Sequence, residues 1–82
     1  MIFNSVESSN LKAVGYDPKN KVMGVMFSSG SVYFYLGVTE RVWENFKGAE
    51  SKGKFFGASI KPNYDFFQLE VTTVDLGECK AL

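Results

Sequence analysis

The stretch Ser28-Ser29-Gly30-Ser31-Val32-Tyr33-Phe34-Tyr35-Leu36 decides the fold. From Val32 it alternates, with Tyr33 and Tyr35 on one face and Val32, Phe34 and Leu36 on the other, which is the period of a β-strand. Lys21 to Phe27 alternates in the same way, with Met23, Val25 and Phe27 against Val22, Gly24 and Met26. The turn between the two runs sets their register. A three-residue loop Ser28-Ser29-Gly30, with glycine in the left-handed position, pairs Phe27 with Ser31, Val25 with Tyr33 and Met23 with Tyr35. A two-residue Ser29-Gly30 turn would slip the pairing by one residue and send both tyrosines to the opposite face. We favour the three-residue loop, because a type I′ turn needs positive φ at both positions and serine adopts that poorly. Gly24 then lies opposite Phe34, whose ring can cover the bare backbone.

Working outward, Ser9 to Tyr16 alternates loosely, with Leu11, Ala13 and Gly15 against Lys12, Val14 and Tyr16. Asp17-Pro18-Lys19-Asn20 follows as a type I turn, in which proline presets φ and the aspartate bonds the backbone ahead of it. These runs make a three-stranded antiparallel β-meander. The face bearing Val22, Met26, Val32, Phe34 and Leu36 is as apolar as the tyrosine face, so each needs a cover: residues 66–74, or a second copy, for the former. Thr39 to Ser51 reads as the main helix, with Thr39 as N-cap and Val42, Trp43, Phe46 and Ala49 on one side. Gly48 weakens this helix and suggests a close approach there, and Gly53 reads as the stop just past its end. Lys54 to Lys61 reads as a second short helix ended by Pro62. Tyr64 to Val74 reads as an extra C-terminal strand on the sheet edge, and residues from Glu78 on as a frayed tail. The expected fold class is therefore α+β.

Composition limits the functions open to this chain. Its 82 residues make one domain. Nine basic and nine acidic residues cancel, so no long-range field draws it to nucleic acid or lipid. The spread is uneven. Residues 47–61 carry Lys47, Lys52, Lys54 and Lys61 against Glu50, while residues 65–82 carry Asp65, Glu70, Asp75 and Glu78 against Lys80. Cys79 is the single cysteine, which excludes an internal disulfide and fits a reducing, cytoplasmic setting. No apolar run approaches the ~20 residues that span a bilayer, so no membrane role is expected.

The same inventory argues against an enzyme. The chain has no histidine, no cysteine pair for zinc, no paired carboxylates and no phosphate-binding glycine motif, so no cofactor or metal is expected. Two groups remain as ligand-binding candidates. Lys47, Ser51, Lys52 and Lys54 cluster near a helix end, where a helix starting at Lys54 would add free N–H groups for a phosphate. The plainer reading is that these lysines complement the C-terminal dipole of the main helix. Tyr33 and Tyr35 could stack bases, but alternating aromatics in strands usually fill a core, and the register puts them beside Val25 and Phe27. Trp43, Phe46, Phe55 and Phe56 form either core or a patch for a protein partner.

The ordered set Ser8-Ser9-Asn10-Leu11, Val14-Gly15-Tyr16-Asp17, Val25, Phe27, Gly30 and Tyr33-Phe34-Tyr35 resembles the KTSC domain. The match continues through Val38, Ala49, Ser51, Gly53, Phe56, Ile60 and Tyr64. That family is named for the C-terminus of some lysyl-tRNA synthetases, and it also occurs as free-standing bacterial and phage proteins. Two positions depart from its pattern: Thr39 stands where proline is frequent, and Gly57 where asparagine is. The resemblance divides the chain into a lead-in at 1–7, a domain at 8–64 and an extension at 65–82, and it implies an RNA-binding role. The expected function is thus a non-enzymatic binding module for RNA or a nucleotide. The alternative is a protein-interaction module, such as a phage-encoded modulator of a host protein, or a homodimer formed through the second apolar sheet face.

Overall fold

The computed structural model describes residues 1–69 of the chain. A single antiparallel sheet runs in sequence order, β1 Phe3–Ser5, β2 Leu11–Asp17, β3 Val22–Phe27, β4 Val32–Leu36 and β5 Phe66–Leu69. Helix α1 Glu40–Gly48 and helix α2 Lys52–Phe55, which passes directly into a π-helical turn Phe56–Ile60, lie between β4 and β5 in the chain. The fold is α+β, as the residue pattern indicates, but the sheet has five strands: β1 and the expected late strand flank the three-stranded meander. β1 falls in the stretch that reads from sequence as a lead-in, since three residues with one large apolar side chain leave no readable alternation. The late strand is present at Phe66–Leu69; the remainder of the expected run to Val74, and the tail from Glu78, lie outside the described residues.

The decisive hairpin has the three-residue loop. Val25 pairs with Tyr33, Met23 with Tyr35 and Gly24 with Phe34. Phe27 N donates to Ser31 O at 2.9 Å, Gly30 N donates to Phe27 O at 2.8 Å, and Gly30 has φ +97°. In the preceding turn the Asp17 carboxylate accepts from Lys19 N at 3.0 Å and from the Asn20 side chain at 2.8 Å. The Asn20 amide holds that carboxyl below its usual pKa. β2 carries a bulge between Leu11 and Ala13, which re-aims the strand. Leu11 consequently joins the tyrosine face with Val14, while Ala13 packs on the opposite one, so the simple alternation across 11–15 fails at Lys12.

The tyrosine face is the main core. Met23, Val25, Tyr35, Val38, Phe46 and Ile60 are all essentially inaccessible there, under α1 and the α2–π segment. Trp43, Phe46 and Phe56 are buried in it, so they form core rather than a protein-binding patch. Among the described residues the second face is covered by Met1 and Phe3 and by Phe67, which stacks on Phe34; residues 70–74 of the expected cover lie outside the described residues. Phe3 packs with Ala13, Met26 and Val32, and its ring lies over Gly24. A Cβ at Gly24 would sit 2.5 Å from Phe3 Cζ, so glycine is what admits β1's aromatic ring to the sheet.

α1 begins where expected, with Thr39 Oγ1 accepting from Val42 N at 3.3 Å. It ends at Gly48, short of Ser51, because Ala49 is extended, with ψ 139°. Among the described residues nothing lies within 4 Å of a Cβ built on Gly48, so none of their helices approaches there. Replacing Gly48 with alanine should therefore stabilise the domain by up to about 1 kcal/mol, read as a rise in melting temperature. Gly53 is not a stop signal; it lies inside α2, which begins at Lys52 rather than Lys54.

Candidate functional site

The lead-in to β2, the β3–β4 turn and the α2–π segment meet along one side of the molecule. Ser28 N donates to Asn10 O at 2.9 Å and Ser28 Oγ donates to Ser9 O at 3.0 Å, which ties the turn to the lead-in. Ser8 Oγ accepts from Asn10 N at 3.3 Å, and a Cβ on Gly53 would lie 2.8 Å from that oxygen. Glycine at 53 is thus the residue that lets α2 pack against Ser8. At the other end of α2 the backbone widens to a π turn, with Lys61 N donating to Phe56 O at 2.9 Å, an arrangement often found at functional sites.

Between these segments runs an open groove made of three depressions that share lining residues. The first, about 410 Å³, lies between Glu7-Ser8-Ser9-Asn10 and Ser51, Gly53 and Lys54. The second, about 390 Å³, is bounded by Ser9, Asn10, Ser28, Ser29, Gly53, Gly57 and Lys61, over Phe27 and Phe56. The third, about 330 Å³, is lined by Phe27, Ser29, Ser31, Tyr33, Tyr35, Phe66 and Lys61. The groove therefore presents serine hydroxyls along its length, lysine at both ends and aromatic rings at one end. Among the described residues, Glu7 is the single acidic one on its lining.

The six residues singled out from the sequence separate in space. Ser51 and Lys54 line one end of the groove, and Tyr33 and Tyr35 line the other. Tyr35 is only 2% exposed and belongs to the core, while Tyr33 is half-buried beside Phe27 and Phe66. Lys47 and Lys52 do not join the groove's lining. Lys47 Nζ pairs with Glu44 at 2.9 Å and stands 5.8 Å over the Trp43 ring. Lys52 Nζ donates to Ala49 O at 3.4 Å, next to the end of α1, as the plainer electrostatic reading expects. Lys54 N is not free for an anion, because the Ser51 hydroxyl accepts from it at 3.4 Å. The residues not anticipated from the sequence as site residues include Ser9, Asn10, Ser28, Ser29, Ser31, Gly57, Lys61 and Phe66.

Two tyrosines are tuned by their surroundings. Burial raises the Tyr16 pKa, helped by the charges of Glu40 and Asp17, while its hydroxyl donates to Val38 O at 2.7 Å. Burial also raises that of Tyr35, with a smaller contribution from Tyr33. A raised folded-state pKa gives stability that is complete below the unfolded value and is lost as pH climbs through the folded one. Melting temperature should therefore fall as pH rises past about 10, the ordinary tyrosine value. Tyr16→Phe should remove one late step from the ultraviolet titration of the phenols.

The KTSC domain family model matches residues 7–64, most of the chain. The chain belongs to the KTSC domain family. The solved KTSC domain protein from Yersinia pestis superposes with a TM-score of 0.79 at 39% identity, covering 82% of this chain and 94% of that one. A protein of Tsukamurella paurometabola is 37% identical over 59 residues, which is 72% of this chain and 88% of its own length. A lysine–tRNA ligase of Nostoc punctiforme is 40% identical over 63 residues, 77% of this KTSC chain but 11% of the ligase. Among the described residues no helix is long and apolar enough to cross a membrane.

Proposed function

We propose that this KTSC domain binds single-stranded RNA or a nucleotide in the serine-lined groove, without catalysing a reaction. The observation that carries this reading is the groove's lining: serine hydroxyls along its length, with Lys54 at one end and Lys61 beside aromatic rings at the other. Hydroxyls and lysines suit a phosphodiester backbone, and the exposed Phe66 ring suits an unstacked base. The related ligases, by their name, act on a tRNA, which supports an RNA ligand. With zero net charge, binding rests on the groove's local contacts rather than on a long-range field.

Gly57 supplies the test. Among the described residues a Cβ there meets nothing within 4 Å, and the residue lies on the groove wall. Gly57→Glu should leave the melting temperature unchanged or raised, and should abolish binding of a labelled hexaadenylate in a fluorescence-anisotropy titration. If the variant binds as the parent does, the groove is not the RNA site.

A second reading rests on the other sheet face, where Met1, Leu36 and Phe67 are 47%, 41% and 50% exposed. That surface suits a protein partner, whether a host protein or a second copy of this chain. Phe67→Glu would then change sedimentation behaviour or partner capture while leaving RNA binding intact.

A further inference from the structure

Resting on the groove reading, we infer that its Tyr33–Phe66 end is a stacking slot for one unpaired nucleobase, with Phe66 as the platform. On the helix-covered face of the sheet, Met23, Val25 and Tyr35 are buried, yet Phe66, which pairs with Tyr35, is 53% exposed. The ring does not stand alone. Tyr33 lies 5.3 Å from it and Tyr35 lies 5.4 Å from it, with ring planes tilted by 53° and 39°. Tyr35 is itself held edge-on by Phe56, and Tyr33 edge-on by Phe27. A half-exposed ring backed by fixed rings gives up little side-chain freedom when a base stacks on it.

The polar groups beside the slot decide the occupant. Ser29 and Ser31 offer hydroxyls that match the polar edge of a base, and Lys61 offers a cation for the adjoining phosphate. Phe27, Ser29 and Lys61 line both this cavity and the middle of the groove, so a strand passing Lys61 can leave one base in the slot and continue toward Lys54. A base stacked within a duplex cannot enter, so the slot selects single strands, frayed ends or loops.

The test uses the full chain with three variants and two probes: labelled hexaadenylate and a hexameric abasic sugar-phosphate strand. Phe66→Ala should weaken hexaadenylate binding by roughly 5- to 150-fold, the worth of one stacked base, and leave abasic-strand binding unchanged. Phe66→Trp should retain binding and give indole fluorescence that is quenched as hexaadenylate is added. The slot is overturned if Phe66→Ala binds hexaadenylate like the parent while Gly57→Glu does not, or if Phe66→Ala weakens both probes equally. Parent-like binding by Gly57→Glu would instead overturn the groove reading beneath it.

Discussion

Tyr35→Ala is expected to lower stability by about 3–5 kcal/mol, the cost of removing a large buried aromatic side chain. A domain of this size holds only on the order of 5–10 kcal/mol in total, so the variant should melt at least 10–20 °C lower. The reason is position. Tyr35 is the largest side chain among those almost fully buried, pairs with Met23 across the hairpin, and meets the Phe56 ring edge-on at 5.2 Å. Its loss would empty the contact between the sheet and the α2–π segment. That segment forms one wall of the groove, so binding should be lost along with stability. Tyr35→Phe keeps the ring and should melt within about 1 kcal/mol of the parent. Differential scanning calorimetry of both variants separates the contribution of the ring from that of the hydroxyl. A Tyr35→Ala variant as stable as the parent would contradict the placement of this residue.

The second large effect is electrostatic. Lys54 and Lys61 are both exposed and stand at opposite ends of the groove. Exchanging both for glutamate takes the chain's net charge from 0 to −4, two positive charges being replaced by two negative ones. Surface substitutions of this kind usually shift stability by under about 0.5 kcal/mol, so the fold should persist. Hexaadenylate binding should become unmeasurable, because both phosphate contacts turn repulsive. In the parent, two phosphate contacts imply a slope of about −1.4 in log affinity against log salt, or roughly a sevenfold loss between 50 and 200 mM. A steeper slope would mean that further cations contact the strand. Undiminished binding by the double variant would remove both lysines from the site.

Much of the fold was legible because local rules and tertiary packing agree. Gly30 fixes the turn, the turn fixes the register, and the register places Tyr35 in the core. Thr39 and the spacing of Trp43 and Phe46 fix α1 for the same reason. What escaped notice depends on contacts distant in sequence. β1 is readable only once Phe3 is seen filling the space above Gly24. Gly53 looks like a helix stop until Ser8 is found against it. The site follows the same division. The pairing of Lys47 with Glu44, three residues earlier on one helix face, is legible in the sequence spacing. Ser9, Asn10 and Ser28 could not have been joined, because nineteen residues separate the partners of the Ser28–Ser9 hydrogen bond.

The most direct test of the groove is a ¹H–¹⁵N NMR titration of the full chain with hexaadenylate. The expected shifts fall on residues 8–10, 28–31, 51–54, 57–61 and on Phe66, and they shrink as salt is raised. Shifts confined to Met1, Phe34, Leu36 and Phe67, or none at saturating RNA, would contradict the account and leave the second sheet face as the interaction surface.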